Sequence, residues 1–215
     1  MWTEFVSCDG LCSVKGKEAL LRDLWFDASE RPIVAQFFGA TPENFYTCAR
    51  LAQELGFDGI DINMGCPDKS VEKQGAGAAL IKNPKLAQEI IHETMRGAGN
   101  LPVSVKTRIG YQQNNIKEWM KYLLDTGLAA ITMHGRTRKE MSKVDAHWDI
   151  IAEAAQIARD FDSSENRTLI LGNGDVKNID EAKEKAVQYQ LDGIMIGRGI
   201  FGNPWLFAEG TTPTI

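Results

Sequence analysis

A short apolar run rich in β-branched residues, followed by a longer stretch of helical period, recurs along this chain. Even the connection into the strand repeats. Gly56-Phe57-Asp58-Gly59-Ile60 resembles Gln190-Leu191-Asp192-Gly193-Ile194, and Thr126-Gly127-Leu128-Ala129-Ala130 has the same character. Strand-then-helix units in tandem demand a parallel sheet covered by helices. The pattern predicts seven strands, roughly Thr3 to Ser7, Ile33 to Phe38, Gly59 to Met64, Val103 to Thr107, Ala129 to His134, Thr168 to Leu171 and Gly193 to Ile196. Thr41-Pro42 and Asn83-Pro84 supply a cap and a first-turn proline to two of the helices, which Gly56 and Gly97 are expected to stop.

A closed (β/α)₈ barrel and an open doubly wound sheet both satisfy this alternation. The polar residues favour the barrel, because strand after strand turns polar or glycine-rich at its last positions: Gln36, Asn63, Lys106, His134, Gly172-Asn173-Gly174-Asp175 and Gly197-Arg198-Gly199. A barrel gathers those ends around one mouth, where its active site lies. The expected fold is a TIM barrel, although seven strands do not close the usual ring of eight.

Composition narrows the class further. At 215 residues, 43% hydrophobic and 25% charged, the chain is neither disordered nor a coiled coil, and one barrel domain accounts for its length. No apolar run approaches the ~20 residues that span a bilayer. Met1-Trp2-Thr3-Glu4 lacks a signal-peptide pattern, so a cytoplasmic protein is expected. Cys8, Cys12, Cys48 and Cys66 include no C-x-x-C pair, and with three histidines they suggest neither a disulfide framework nor a metal site. A net charge of -5 argues against a broad nucleic-acid surface and leaves room for a local basic patch.

The glycines around Asn173 and Arg198 let backbone N–H groups approach an anion, and barrels commonly bind phosphate after their last two strands. Lys106, beside Gln36 and His134, could hold a planar heterocycle and stabilise negative charge developing on it. Cys66, biased toward extended geometry by Pro67, would bring a thiol to the mouth near Asn63 and Asp61. Cys48 reads instead as a buried residue on the apolar face of its helix.

The run Ile60-Asp61-Ile62-Asn63-Met64-Gly65-Cys66-Pro67, then Val71 and Gln74-Gly75-Ala76-Gly77-Ala78, closely resembles the signature of the tRNA-dihydrouridine synthase family. The resemblance continues through Val105-Lys106-Thr107-Arg108-Ile109-Gly110, His134-Gly135-Arg136-Thr137-Arg138, Asn173-Gly174-Asp175 and Gly197-Arg198-Gly199, covering nearly the whole chain. It implies an FMN-dependent barrel enzyme, an oxidoreductase of tRNA processing that uses NADPH to reduce the 5,6 double bond of uridine in tRNA. By the family pattern Gln36, Lys106, His134, Asn173, Gly174, Asp175, Gly197 and Arg198 contact FMN. Cys66 is the general acid, protonating C5 as hydride passes from flavin N5 to C6. Asn63, Arg136 and Arg138 bind the uracil or a flanking phosphate, after the nucleotide has left its stack.

The family pattern also implies a first strand before Thr3 and a helical tRNA-binding domain after the barrel. On that basis residues 1–207 are expected to form an FMN-binding catalytic barrel, incomplete at its N-terminus. Residues 208–215 are expected to begin the missing domain. The segment 139–147 departs from the family's aromatic-and-glycine pattern. Two alternatives remain: another FMN barrel, such as a dihydroorotate dehydrogenase or an ene-reductase, and a non-catalytic remnant.

Overall fold

The computed structural model describes residues 1–164, 167–203 and 205–207. The expectation for 208–215 falls outside the described residues. Seven strands form one parallel sheet in sequence order: β1 (Val6–Ser7), β2 (Val34–Phe38), β3 (Gly59–Met64), β4 (Val103–Arg108), β5 (Ala130–His134), β6 (Leu169–Asn173) and β7 (Gly193–Met195). Among the described residues β1 and β7 do not pair with each other, so the sheet is open. The helices are α1 (Cys8–Leu11), α2 (Lys17–Leu20), α3 (Pro42–Leu55), α4 (Lys69–Glu72), α5 (Pro84–Ala98), α6 (Ile116–Leu124), α7 (Trp148–Phe161) and α8 (Ile179–Gln188). None of the described helices is long and apolar enough to cross a membrane.

The repeated Asp-Gly-Ile connection has one structural job, performed twice. Asp58 accepts from the Ile33 backbone N–H at 2.8 Å and pairs with Arg31, while its own N–H donates to Ile33 O. Asp192 accepts from the Ile170 N–H at 2.7 Å, pairs with Arg167, and donates its N–H to Ile170 O. Each aspartate thereby stitches the start of one strand to its predecessor, and buried Phe57 or Leu191 anchors the turn before it. The backbone of that turn passes through the left-handed region, at Gly56 (φ 83°) and at Gln190 (φ 51°).

Local signals at the helix ends hold in part. Asn83 caps α5 by accepting from the Leu86 N–H, and Gly56 ends α3 in the left-handed conformation. Thr41 stands at the N-cap of α3 without a side-chain hydrogen bond. Gly97 does not stop α5, which runs on to Ala98 and ends at Gly99 (φ 61°). The glycine is there because α3 and α5 touch: a Cβ on Gly97 would lie 2.4 Å from Tyr46 O. The first strand is also shorter than its apolar run. Only Val6–Ser7 is regular, and Trp2 makes an isolated bridge to Val34.

The core lies between the sheet and its helices and includes Phe37, Ile60, Ile62, Val105, Ile131 and Ile170 from the strands. Trp119 of α6 is fully buried, and its indole N–H donates to Thr107 Oγ1 at 3.1 Å. Thr107 donates in turn to Met64 O. The carboxyl end of β3 is therefore tied to β4, directly below the loop that carries Cys66.

Candidate active site

Side chains two apart on a strand share a face, and three strands exploit this. Gln36 of β2, Asp61 and Asn63 of β3, and Ser104 and Lys106 of β4 meet on one side of the sheet. Gln36 Nε2 donates to Asp61 at 2.7 Å, Ser104 Oγ donates to the other Asp61 oxygen at 2.5 Å, and Asn63 Nδ2 donates to Gln36 Oε1 at 3.1 Å. Asn63 Oδ1 then accepts from the backbone N–H groups of Gly65 and Cys66, at 3.1 and 2.9 Å. A chain of hydrogen bonds thus runs from a fully buried carboxylate to the backbone of Cys66.

Two further contacts fix that loop. Arg108 Nε donates to Gly65 O at 2.7 Å, and the Ala78 N–H donates to Cys66 O at 2.9 Å. Gly77 is required beneath it. Its φ is 60°, and a Cβ there would come within 2.7 Å of Cys66 O. Cys66 itself is half-buried, with its thiol unoxidised.

The opposite wall of the mouth is built by β5, β6 and β7. Lys106 Nζ donates to Asn173 Oδ1 at 3.1 Å, and Asn173 Nδ2 donates to Met195 O at 2.9 Å. Beyond Asn173 the backbone turns through Gly174 (φ 140°) and Asp175 (φ 56°). A left-handed aspartate is uncommon, and here the turn aims its carboxylate between two guanidiniums. Arg136, almost wholly buried, pairs with one oxygen, and Arg198, largely exposed, reaches the other at 3.1 Å. His134, Asn173, Gly174, Asp175, Gly197 and Arg198 line a cavity of about 130 Å³. A Cβ on Gly197 would meet nothing within 4 Å, so backbone there is open to an approaching group.

Burial and charge set the protonation states. Desolvation pushes Asp61 up to about 6, against the hydrogen bonds from Ser104 and Gln36 and the Lys106 ammonium. Desolvation lowers Lys106 to about 8, opposed by Asp61. His134 falls to about 3 because it is desolvated and faces Arg108, Lys106 and Arg136. At neutral pH the imidazole is uncharged inside a cluster of cations.

Two buried polar atoms in this region have no protein partner among the described residues, His134 Nδ1 and Arg136 Nη1. Buried polar groups are normally satisfied; of these two residues His134 lines the cavity, where a polar ligand would complete it, and Arg136 stands behind Asp175 outside the lining. An imidazole, an exposed arginine and open glycine backbone suit the phosphate and ring edge of a flavin nucleotide. Asp175 is the counter-argument to an anion, and its two arginines neutralise it.

The structure brings together Gln36, Asn63, Cys66, Lys106, His134, Asn173, Gly174, Asp175, Gly197 and Arg198, together with Arg136 behind Asp175. Arg136 also donates through Nε to Val144 O, so it buttresses the cavity wall. Arg138 lies apart from the cavity, ion-paired with Glu72 of α4 and packed over the Tyr111 ring. Sequence reasoning passed over Asp61 as more than a neighbour, and missed Ser104 and Arg108. Their signal was the two-residue spacing from Asn63 and Lys106.

A family model described as dihydrouridine synthase matches residues 1–214. The chain is 45% identical over 209 residues to a protein of Staphylococcus aureus (strain COL) named "Probable tRNA-dihydrouridine synthase", covering 97% of this chain and 62% of that protein. It is 44% identical to "Probable tRNA-dihydrouridine synthase 2" of Bacillus subtilis (strain 168), covering 97% and 63%. The chain therefore spans less than two thirds of the length of these relatives. Among solved structures, a 2-naphthoyl-CoA reductase complex superposes with a TM-score of 0.54 at 12% identity, covering 76% of this chain and 27% of that one. That likeness is one of fold alone.

Proposed function

Because this chain belongs to the dihydrouridine synthase family, we propose that its mouth reduces the 5,6 double bond of uridine in tRNA, using FMN as cofactor and NADPH as reductant. Residues 1–207 act as the catalytic barrel in this reading, and the protein works in the cytoplasm on tRNA, without a metal. The observation that carries it is the Asn63 side chain, which links Gln36 at the cofactor wall to the backbone of Cys66.

Arg198, Gly197 and the turn Asn173-Gly174-Asp175 would hold the FMN phosphate, with His134 at the wall of the same cavity. Gln36 and Lys106 would hold the FMN ring system. When bound, FMN supplies the hydride that reaches uracil C6. Lys106 adds positive charge where the reduction builds negative charge. Cys66 Sγ–H gives its proton to C5, and Asn63 and Arg108 hold its loop so that the thiol meets the base in one geometry. Neutral His134 donates or accepts a hydrogen bond without adding a further charge.

Arg136 serves as buttress, and Arg138 binds an RNA phosphate only by releasing Glu72. The test is formation of dihydrouridine in unmodified tRNA with FMN and NADPH. Cys66→Ala is expected to slow the reaction by ~10²-fold or more, the usual contribution of a positioned general acid. An unchanged rate removes Cys66 from the mechanism.

A further inference from the structure

Three of the four cysteines, none of them Cys66, meet where α1 packs against α3. Cys8 opens α1 and Cys12 follows it as the C-cap, while Cys48 lies in α3. The Cys8 carbonyl oxygen accepts both the Cys12 backbone N–H at 2.9 Å and the Cys48 thiol at 3.9 Å. Cys12 Sγ lies 3.8 Å from Asn44 O, the carbonyl one helical turn before Cys48. The Cys12 and Cys48 sulfurs therefore both lie within 4 Å of backbone carbonyls at the same α1–α3 contact. All three are free thiols.

Access separates them. A cavity of about 270 Å³, rimmed by Lys17 and Arg50, is lined by Cys12 and Cys48 and not by Cys8. Cys12 is exposed and Cys48 is buried but lines this cavity, while Cys8 is fully buried and does not line it. We propose that Cys12 and Cys48 form a reversible thiol–disulfide site that takes hydrogen peroxide as its oxidant. This is independent of the flavin reading.

The Cys48 sulfur attacks one peroxide oxygen. The O–O bond breaks, hydroxide leaves and is protonated to water, and Cys48 becomes a sulfenic acid. The Cys12 sulfur then attacks the Cys48 sulfur, forming S–S and breaking S–O, with a second water released. Two thiols lose two electrons and two protons, and one peroxide becomes two waters. Hydrogen bonds from the neighbouring thiols hold Cys48 below the ordinary thiol range, whereas burial pushes Cys12 up to about 11. Cys48 is therefore the first nucleophile and Cys12 the resolving thiol.

The test uses the full chain, treated with hydrogen peroxide, alkylated under denaturing conditions and mapped by mass spectrometry. The expected product has lost two hydrogens, carries a peptide joining Cys12 to Cys48, and regains both thiols with a small dithiol reductant. In Cys12→Ser the link disappears and a sulfenic-acid trap labels Cys48. Circular dichroism monitors folding of the variant, and the wild-type map decides the matter alone if it fails to fold. Full alkylation of Cys12 and Cys48 after peroxide, or a link through Cys8 or Cys66, overturns the proposal.

Discussion

His134 and Asp61 should respond to acid in opposite senses, and the difference can be measured. His134 has an ordinary value of 6.5 and a folded value of about 3. Between these the unfolded chain binds a proton that the folded chain refuses, so stability falls as the pH drops. From pH 7 to pH 4.5 the loss is about 2 to 3 kcal/mol, at about 1.36 kcal/mol per pH unit. Asp61 has an ordinary value of 3.8 and a folded value of about 6. Here the folded chain takes the proton first, so the same acidification stabilises by about 2 kcal/mol.

In the wild type these two contributions nearly cancel, and each variant should unmask the other. Urea unfolding at pH 7 and pH 4.5 supplies the readout, as the change in stability of each variant minus that of the wild type. Asp61→Asn should lose about 2 kcal/mol more than the wild type on acidification, and His134→Asn about 2 to 3 kcal/mol less. Parallel pH profiles for all three proteins would refute the claim that burial sets both protonation states, reinforced by neighbouring cations at His134 and opposed by Lys106 at Asp61.

Three other outcomes follow from the geometry. Gly77→Ala should destabilise by more than about 2 kcal/mol, since the new Cβ meets Cys66 O, while Gly56→Ala, with open space around it, should cost only about 1 kcal/mol; thermal unfolding of both separates clash from backbone conformation. Arg198→Ala should weaken FMN binding by about tenfold, read by fluorescence titration, with the fold intact, because the side chain is exposed and donates one charge-assisted bond. Arg136→Met should instead destabilise by about 1 to 2 kcal/mol in urea, since Val144 O and Asp175 each lose a charge-assisted hydrogen bond while Arg198 still pairs with Asp175.

What could be read from the sequence was what repeats or follows from local chemistry. The alternation of strand and helix, the doubled Asp-Gly-Ile connection and the polar strand ends placed Gln36, Asn63, Lys106, His134 and Asn173 at one mouth before any coordinates. What could not be read depends on neighbours distant in the chain. Gly97 looks like a helix stop, and only the approach of α3 reveals it as a contact residue. Arg136 and Arg138 look equivalent on one loop, yet Asp175 buries the first and Glu72 engages the second. Asp61 reads as one polar residue in a buried strand. Its role appears when β2 and β4 bring Gln36 and Ser104 to it.

The central claim is that the cationic mouth holds a flavin, and it is tested most directly by a visible absorption spectrum of the chain after incubation with FMN and removal of the excess. The account predicts a flavin band that stays with the protein and is diminished in Arg198→Ala. A chain folded by circular dichroism that retains no flavin would contradict it.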